Sequence, residues 1–262
     1  MAEIHVPTLS AEPVFTLAGI PITNSILGTW VAMLLLFAFF FVASRKPKLV
    51  PSGAQHVMEV IIEQFRSIVH SVMEDERKTE RFLPLIMAIF LFVLFVNWVG
   101  LLPGFGTVGT HGEHGLVPYL RAGSSDLNLT LAIAGVSFIT AQIVGIFAVG
   151  LFKYGGKFFN FSKLTERPFK ITNVLLFIPT FLLGLIELIS ESAKLVSLSF
   201  RLFGNIYAGE VLLVVFGTLL PLFIPLSGPF YILEFFVGLI QAFVFAMLTI
   251  VFIKIASLQP EH

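Results

Sequence analysis

Five ionisable side chains interrupt an otherwise apolar stretch at residues 180–216, TFLLGLIELISESAKLVSLSFRLFGNIYAGEVLLVVF: Glu187, Glu191, Lys194, Arg201 and Glu210. Charged groups are costly in hydrocarbon, and where they occur there they mark ion or proton routes. From Glu187 through Glu191 and Lys194 to Arg201 the steps are four, three and seven residues, so these four share one face of a helix. Asn205, four past Arg201, joins that face. Glu210 is nine past Arg201, about 180° round at about 3.6 residues per turn. Arg201 keeps its charge at any cellular pH and cannot itself relay protons. It can attract a carboxylate on a partner and favour that group's loss of a proton. The plainer alternatives are a buried structural ion pair for Arg201, with Glu187 or Glu191 of a neighbour, and helix-contact hydrogen bonding for Glu210 and Glu234.

The composition says what must position these groups. Of 262 residues, 56% are hydrophobic and 12% charged, against roughly 25% charged in soluble domains. This predicts an integral membrane protein. No cysteine is present, which excludes disulfides and thiolate metal sites. A net charge of zero offers no basic surface to nucleic acid. Residues 1–24, with Pro7, Pro13 and Pro21, read as a tail outside the membrane, and 25–44 as a first span. Over 53–80 the polar residues Glu59, Glu63, Arg66, His70, Glu74 and Arg77 recur every three or four positions opposite an apolar face. That pattern predicts one amphipathic helix, at the cytoplasmic interface or in a small cytoplasmic layer. Residues 82–102 and 126–152 read as the second and third spans. A long helix over 174–216 carries Arg201, and 230–256 forms the last helix, with Glu234 and Gln241 two turns apart on one face. The fold expected is all-α: five transmembrane helices plus one amphipathic interfacial helix. The last two are expected to be long and strongly tilted. The 37 residues of 180–216 make about 55 Å of helix against about 30 Å of hydrocarbon, so this helix must tilt or break near Gly204 or Gly209.

Charge placement predicts the orientation. Arg45, Lys46 and Lys48 follow the first span, and Lys153, Lys157, Lys163, Arg167 and Lys170 follow the third, whereas the intervening loop has only Arg121. By the positive-inside rule the N-terminus lies outside and the C-terminus in the cytoplasm. Gly217, Pro221, Pro225, Gly228 and Pro229 are expected to break the long helix and form an outside turn. Asp126 reads as the acid at a helix N-terminus, and Asn97 and Gln142 as interhelical hydrogen-bonding groups. Two patterns in the 103–124 loop are discounted. Gly104, Gly106 and Gly109 spell G-x-G-x-x-G without a strand and helix around them. His111, Glu113 and His114 lack a metal-site spacing. No organellar transit pattern opens the sequence, which favours a bacterial plasma membrane.

The run SLSFRLFGNIYAGE, Ser197 to Glu210, resembles the signature of subunit a of the rotary F-type ATP synthase, and VNWVGLLPG, Val96 to Gly104, is similar to that family's second-span ending. The resemblance extends over nearly the whole chain. It implies a stator subunit that passes protons through two offset half-channels to and from the carboxylates of a rotating ring of c subunits. Arg201 would displace protons from ring carboxylates and block a short circuit. Glu210 and Glu234 would belong to the outer half-channel, with Asn205 and Gln241 near the arginine. Glu187, Ser190, Lys194 and Ser197 would line the half-route to the cytoplasm. Glu191 is an additional charge on that face, for which an ion pair with Lys194 is the simpler account. Many members of the family pair an acid with a histidine at the Glu210 and Glu234 positions; here both are acids. The resemblance further implies b-type peripheral stalk subunits as partners, the lipid bilayer as surroundings, and no cofactor or nucleotide chemistry in this chain. Two rivals stay open: a secondary transporter, which predicts internal repeats that are not seen, and a purely structural membrane subunit.

Overall fold

A computed structural model describes residues 8–45, 47–102, 104–106, 108–112, 115–158, 171–219 and 224–258. Its elements are strands β1 Pro13–Leu17 and β2 Ile20–Thr23, helices α1 Asn24–Ser44, α2 Ala54–Met73 and α3 Glu76–Val99, strands β3 Gly109–Gly112 and β4 Gly115–Pro118, then helices α4 Leu127–Val149, α5 Leu151–Phe158, α6 Ile171–Leu219 and α7 Ile224–Ser257. Among the described residues, four helices are long and apolar enough to cross a membrane: α1, α3, α4 and Gly228–Ser257 of α7. The chain is a multi-pass membrane protein. Helix α6, with its five ionisable groups, is not one of the four.

The chain divides into two compact units, one of residues up to Thr130 with Phe200–Leu248, the other of Leu131–Ser199 with the residues from Thr249 on. In the first unit β1 and β2 form an antiparallel hairpin, Leu17 opposite Ile20. Ala18 and Gly19 make its two-residue turn with φ of 52° and 83°, the positive pair that matches the twist of flanking strands. β2 runs straight into α1, where the Thr23 hydroxyl accepts from the Ile26 N–H as N-cap. β3 and β4 form a second antiparallel hairpin in the 103–124 loop. The all-α expectation is thus amended by two hairpins, both in segments too polar or too interrupted for a helix. Gly104 and Gly106 have positive φ, and Gly109 opens strand β3, where a nucleotide-binding glycine loop would open a helix.

The single amphipathic helix expected over 53–80 is two pieces. Glu74 adopts a left-handed conformation, φ 56°, and donates its N–H to the His70 carbonyl, closing α2. The Asp75 carboxylate then accepts from the N–H groups of Arg77 and Lys78 and starts α3. Capping overrode a polar periodicity that continues through the break. Phe65, Val69 and Met73, one turn apart, are the buried stripe of α2. Phe65 meets Phe90 of α3 and Phe243 of α7, ring centroids 4.5 and 6.0 Å apart. Arg66 bridges from α2 to Glu76 and Glu80 of α3 on the exposed side, and the hydrogen bond to Glu76 is the first cause of a raised Arg66 pKa. Helix α3 also joins α7: Asn97 donates to the Gly238 carbonyl at 3.1 Å, and Trp98 donates to the Phe235 carbonyl while stacking on that ring.

In the second unit α4 ends at Val149, short of the 152 expected, because Gly150 turns with φ 93° and donates back to the Ile146 carbonyl. Ser137 of α4 and Thr249 of α7 share a buried hydrogen bond of 3.0 Å. Helix α6 is continuous over 49 residues and does not break at Gly204, Gly209 or Gly217. Residues 225–229, expected in a turn, are the start of α7, with Pro229 inside the helix. Pro225, in the first turn, forfeits no intrahelical bond, whereas Pro229, in the second, lacks the N–H that would reach the residue 225 carbonyl. Residues 1–7 of the tail, Lys46, Lys163, Arg167, Lys170, Pro221 and the C-terminal residues 259–262 lie outside the described residues. So do the side chains of His111, Glu113, His114, Lys153, Lys157 and Pro225.

Candidate functional site

Helices α6 and α7 give the first unit a line of polar groups. Glu210, near the end of α6, accepts from Arg121 in a fork: Nε lies 3.0 and 3.1 Å from the two carboxylate oxygens, and Nη2 lies 3.0 Å from one of them. The remaining terminal nitrogen, Nη1, donates to the Thr8 carbonyl at 2.8 Å. Arg121 is 3% exposed and Glu210 18%, so the pair is largely withdrawn from water. Tyr207, one helical turn before Glu210, presents its ring 5.8 Å from the guanidinium carbon and is stacked on Phe203.

Glu234 of α7 is 8% exposed and lies against Gly209 of α6. A Cβ added at Gly209 would come within 2.1 Å of the carboxyl carbon and both its oxygens. Glycine here is a packing requirement of the carboxylate. Oε1 of Glu234 makes no hydrogen bond among the described residues. Two turns further along α7, Gln241 accepts a hydrogen bond from Asn205 of α6 at 2.8 Å. Gln241 is 4% exposed, and its Nε2 likewise has no acceptor among the described residues. A neutral amide pair and a carboxylate therefore follow one another along the contact between α6 and α7.

Arg201 differs from all of these. It is exposed, and it makes no hydrogen bond or ion pair among the described residues. Phe200, Arg201, Asn205 and Ala208 form an exposed strip of α6. On α7 the residues Leu233, Phe236, Ile240 and Phe243 are exposed at three- and four-residue intervals.

The remaining residues singled out in the sequence, Glu187, Ser190, Glu191, Lys194 and Ser197, belong to the second unit. Glu191 is buried and accepts from Gln142 Nε2 of α4 at 2.6 Å; Tyr154 of α5 in turn donates to Gln142 Oε1 at 2.6 Å. Its partner is thus an amide on another helix, where the sequence suggested Lys194. The Lys194 ammonium lies 5.7 Å above the Phe252 ring. Ser190 and Ser197 are exposed and Glu187 half-buried.

Arg121, Tyr207 and Gly209 were missed by the sequence reading. One signal existed for Arg121: it is the sole lysine or arginine between Arg81 and Lys153. A loop charge in the positive-inside count, it is buried and paired in the fold. Asp126, by contrast, sits where its sequence placed it, accepting from the Asn128 N–H at the start of α4, and it also accepts from Ser25 of α1 at 2.7 Å.

Residues 26–254 match the family described as ATP synthase A chain. Among curated proteins, the chain is similar to ATP synthase subunit a of Moorella thermoacetica, 35% identical over 240 residues that cover 92% of this chain and 93% of the relative. It is also similar to ATP synthase subunit a of Campylobacter jejuni subsp. doylei, 35% identical over 82% of this chain and 81% of the relative. The protein of the same name from Trichlorobacter lovleyi is 32% identical over 91% and 89%.

Proposed function

Because this chain belongs to the ATP synthase A chain family, we propose that it is the proton-translocating stator subunit of a bacterial rotary ATP synthase, in the cell membrane, with no nucleotide chemistry of its own. The observation that carries the reading is Arg201: a permanent cation on a helix of a membrane protein, exposed and without an anionic partner among the described residues of its own chain. Such a group is stable in a membrane only if another chain supplies a counter-charge or water solvates it. A ring of c subunits carrying carboxylates supplies it. As each ring carboxylate arrives, Arg201 favours its ionised form and so drives the proton off. Being unable to deprotonate, it also blocks a direct leak between the two sides.

Glu210 and Glu234 serve the outer half-channel, with Asn205 and Gln241 between them and the arginine. Glu187, Ser190, Lys194 and Ser197 serve the half-route to the cytoplasm. The exposed apolar intervals on α7 and the strip around Arg201 suit a partner helix within the bilayer. Five spans result, with α6 and α7 long and tilted, the N-terminus outside and the C-terminus inside; b-type stalk subunits hold the assembly against the turning ring. Each charge crossing about 100 mV releases about 2.3 kcal/mol, so several protons per turnover can drive a distant synthesis step.

The test is ATP-driven proton pumping in membrane vesicles carrying Arg201→Ala, beside wild type and Glu210→Gln. Pumping is expected to vanish in Arg201→Ala while the catalytic head still hydrolyses ATP. Pumping at wild-type rate would return the transporter and scaffold readings.

A further inference from the structure

Resting on the reading above, we infer that Arg121 is a positioning residue for proton transfer at Glu210. Its side chain is committed at every nitrogen. Nε and Nη2 hold the Glu210 carboxylate in a fork, and Nη1 is held by the Thr8 carbonyl. The backbone beneath it is fixed as well. Its N–H donates to the Asn24 carbonyl at 3.3 Å, and its own carbonyl packs so closely on α1 that a Cβ at Gly28 would lie 1.9 Å from the oxygen. The loop arginine is thereby tied to the start of α1 and to the N-terminal segment, and from there it sets the orientation of a carboxylate on α6.

The other carboxylate of this line has no such device. Glu234 lies in a close-packed slot against Gly209 with one oxygen unpartnered among the described residues. One acid of the line is held by a cation and the other is not, which fits two different tasks. A proton relay needs its acceptor oxygen within about 3 Å of the donor, in one orientation. A guanidinium fork fixes both oxygens and leaves their outer lone pairs open, which a single ammonium cannot do. In the cycle, Glu210 forms one O–H bond to a proton from the outer side and later gives that proton up inward. Arg121 gains and loses none. While Glu210 is protonated the fork is weakened, and the Thr8 carbonyl and Tyr207 ring keep the guanidinium in place for the carboxylate's return.

The test uses the whole complex in vesicles, with Arg121→Gln, Arg121→Lys, Glu210→Gln and the Arg121→Gln/Glu210→Gln double variant. Assembly is checked by subunit content and ATP hydrolysis, and both pumping and passive proton conduction are read across pH. We expect Arg121→Gln to lose roughly tenfold in proton flux and to change its pH profile. Arg121→Lys should recover part of the flux and the wild-type profile, and the double variant should be no worse than Glu210→Gln alone. Wild-type flux and profile in Arg121→Gln, or losses that multiply in the double variant, would overturn the inference. Should Arg121→Gln not assemble, Arg121→Lys decides: a several-fold loss supports the fork, and an unchanged rate and profile sinks it. Failure here with pumping still abolished by Arg201→Ala leaves the stator reading standing.

Discussion

A buried or membrane-embedded cation must be matched by an anion, and Arg121 and Arg201 of the first unit differ in how that demand can be met. Arg121 is 3% exposed and fully engaged within the chain. Arg201 is exposed and engages nothing among the described residues. The first can fix a geometry; only the second is available to a moving partner. At the same scale, Gly209 decides whether Glu234 can occupy its slot. Gly209→Ala places a methyl group 2.1 Å from the carboxyl carbon, and overpacking of this kind costs about 1–3 kcal/mol. The expected result is a lower melting temperature of the purified complex. Combining it with Glu234→Ala, which removes the obstructing carboxyl, should restore most of that loss. A Gly209→Ala complex that melts with wild type would mean the contact is soft.

At the scale of elements, capping makes the joint between α2 and α3. The α2–α3 junction rests on Glu74 in the left-handed region and on the Asp75 cap. Asp75→Ala removes the acceptor for two N–H groups of α3 and should destabilise the junction by about 1 kcal/mol. Asp75→Asn, which retains a capping oxygen, should keep most of it. Thermal unfolding in detergent compares the two, and equal losses would show that the cap is not what starts α3. Helix α6 runs uninterrupted through Gly204 and Gly209. Gly209 acts through what packs on it, the Glu234 carboxyl, whereas a Cβ at Gly204 would meet nothing within 4 Å; the helical backbone continues through both.

For the whole molecule, the proposed orientation is open to a direct measurement, since the chain contains no cysteine. Leu17→Cys in the exposed hairpin turn region and Lys48→Cys after α1 place single thiols on opposite sides of the first span. An impermeant maleimide should label the first in intact cells and the second only in inverted vesicles. The reverse pattern would invert the assignment of outer and inner half-routes and with it the roles given to Glu210 and Glu187.

What the sequence determined by itself was the class of molecule. Spanning segments announce themselves because burial in lipid is additive along the chain, so a run such as 25–44 needs no tertiary context. The stripe from Glu187 to Asn205 was legible because helical periodicity is local. The α2–α3 break lay within reach, in the acid pair Asp75 and Glu76, but the polar stripe running on through Glu74 and Arg77 masked it. Pairings between distant segments were not legible: Arg121 meets Glu210 89 positions later, and Gln142 meets Glu191 49 positions later. No period or spacing connects such residues. Only the tertiary structure, by packing α1, the loop before α4 and α6 together, decided that the lone loop arginine would be the counter-ion of a carboxylate on the arginine-bearing helix, because a charge withdrawn from water must find its opposite wherever the fold brings one within reach.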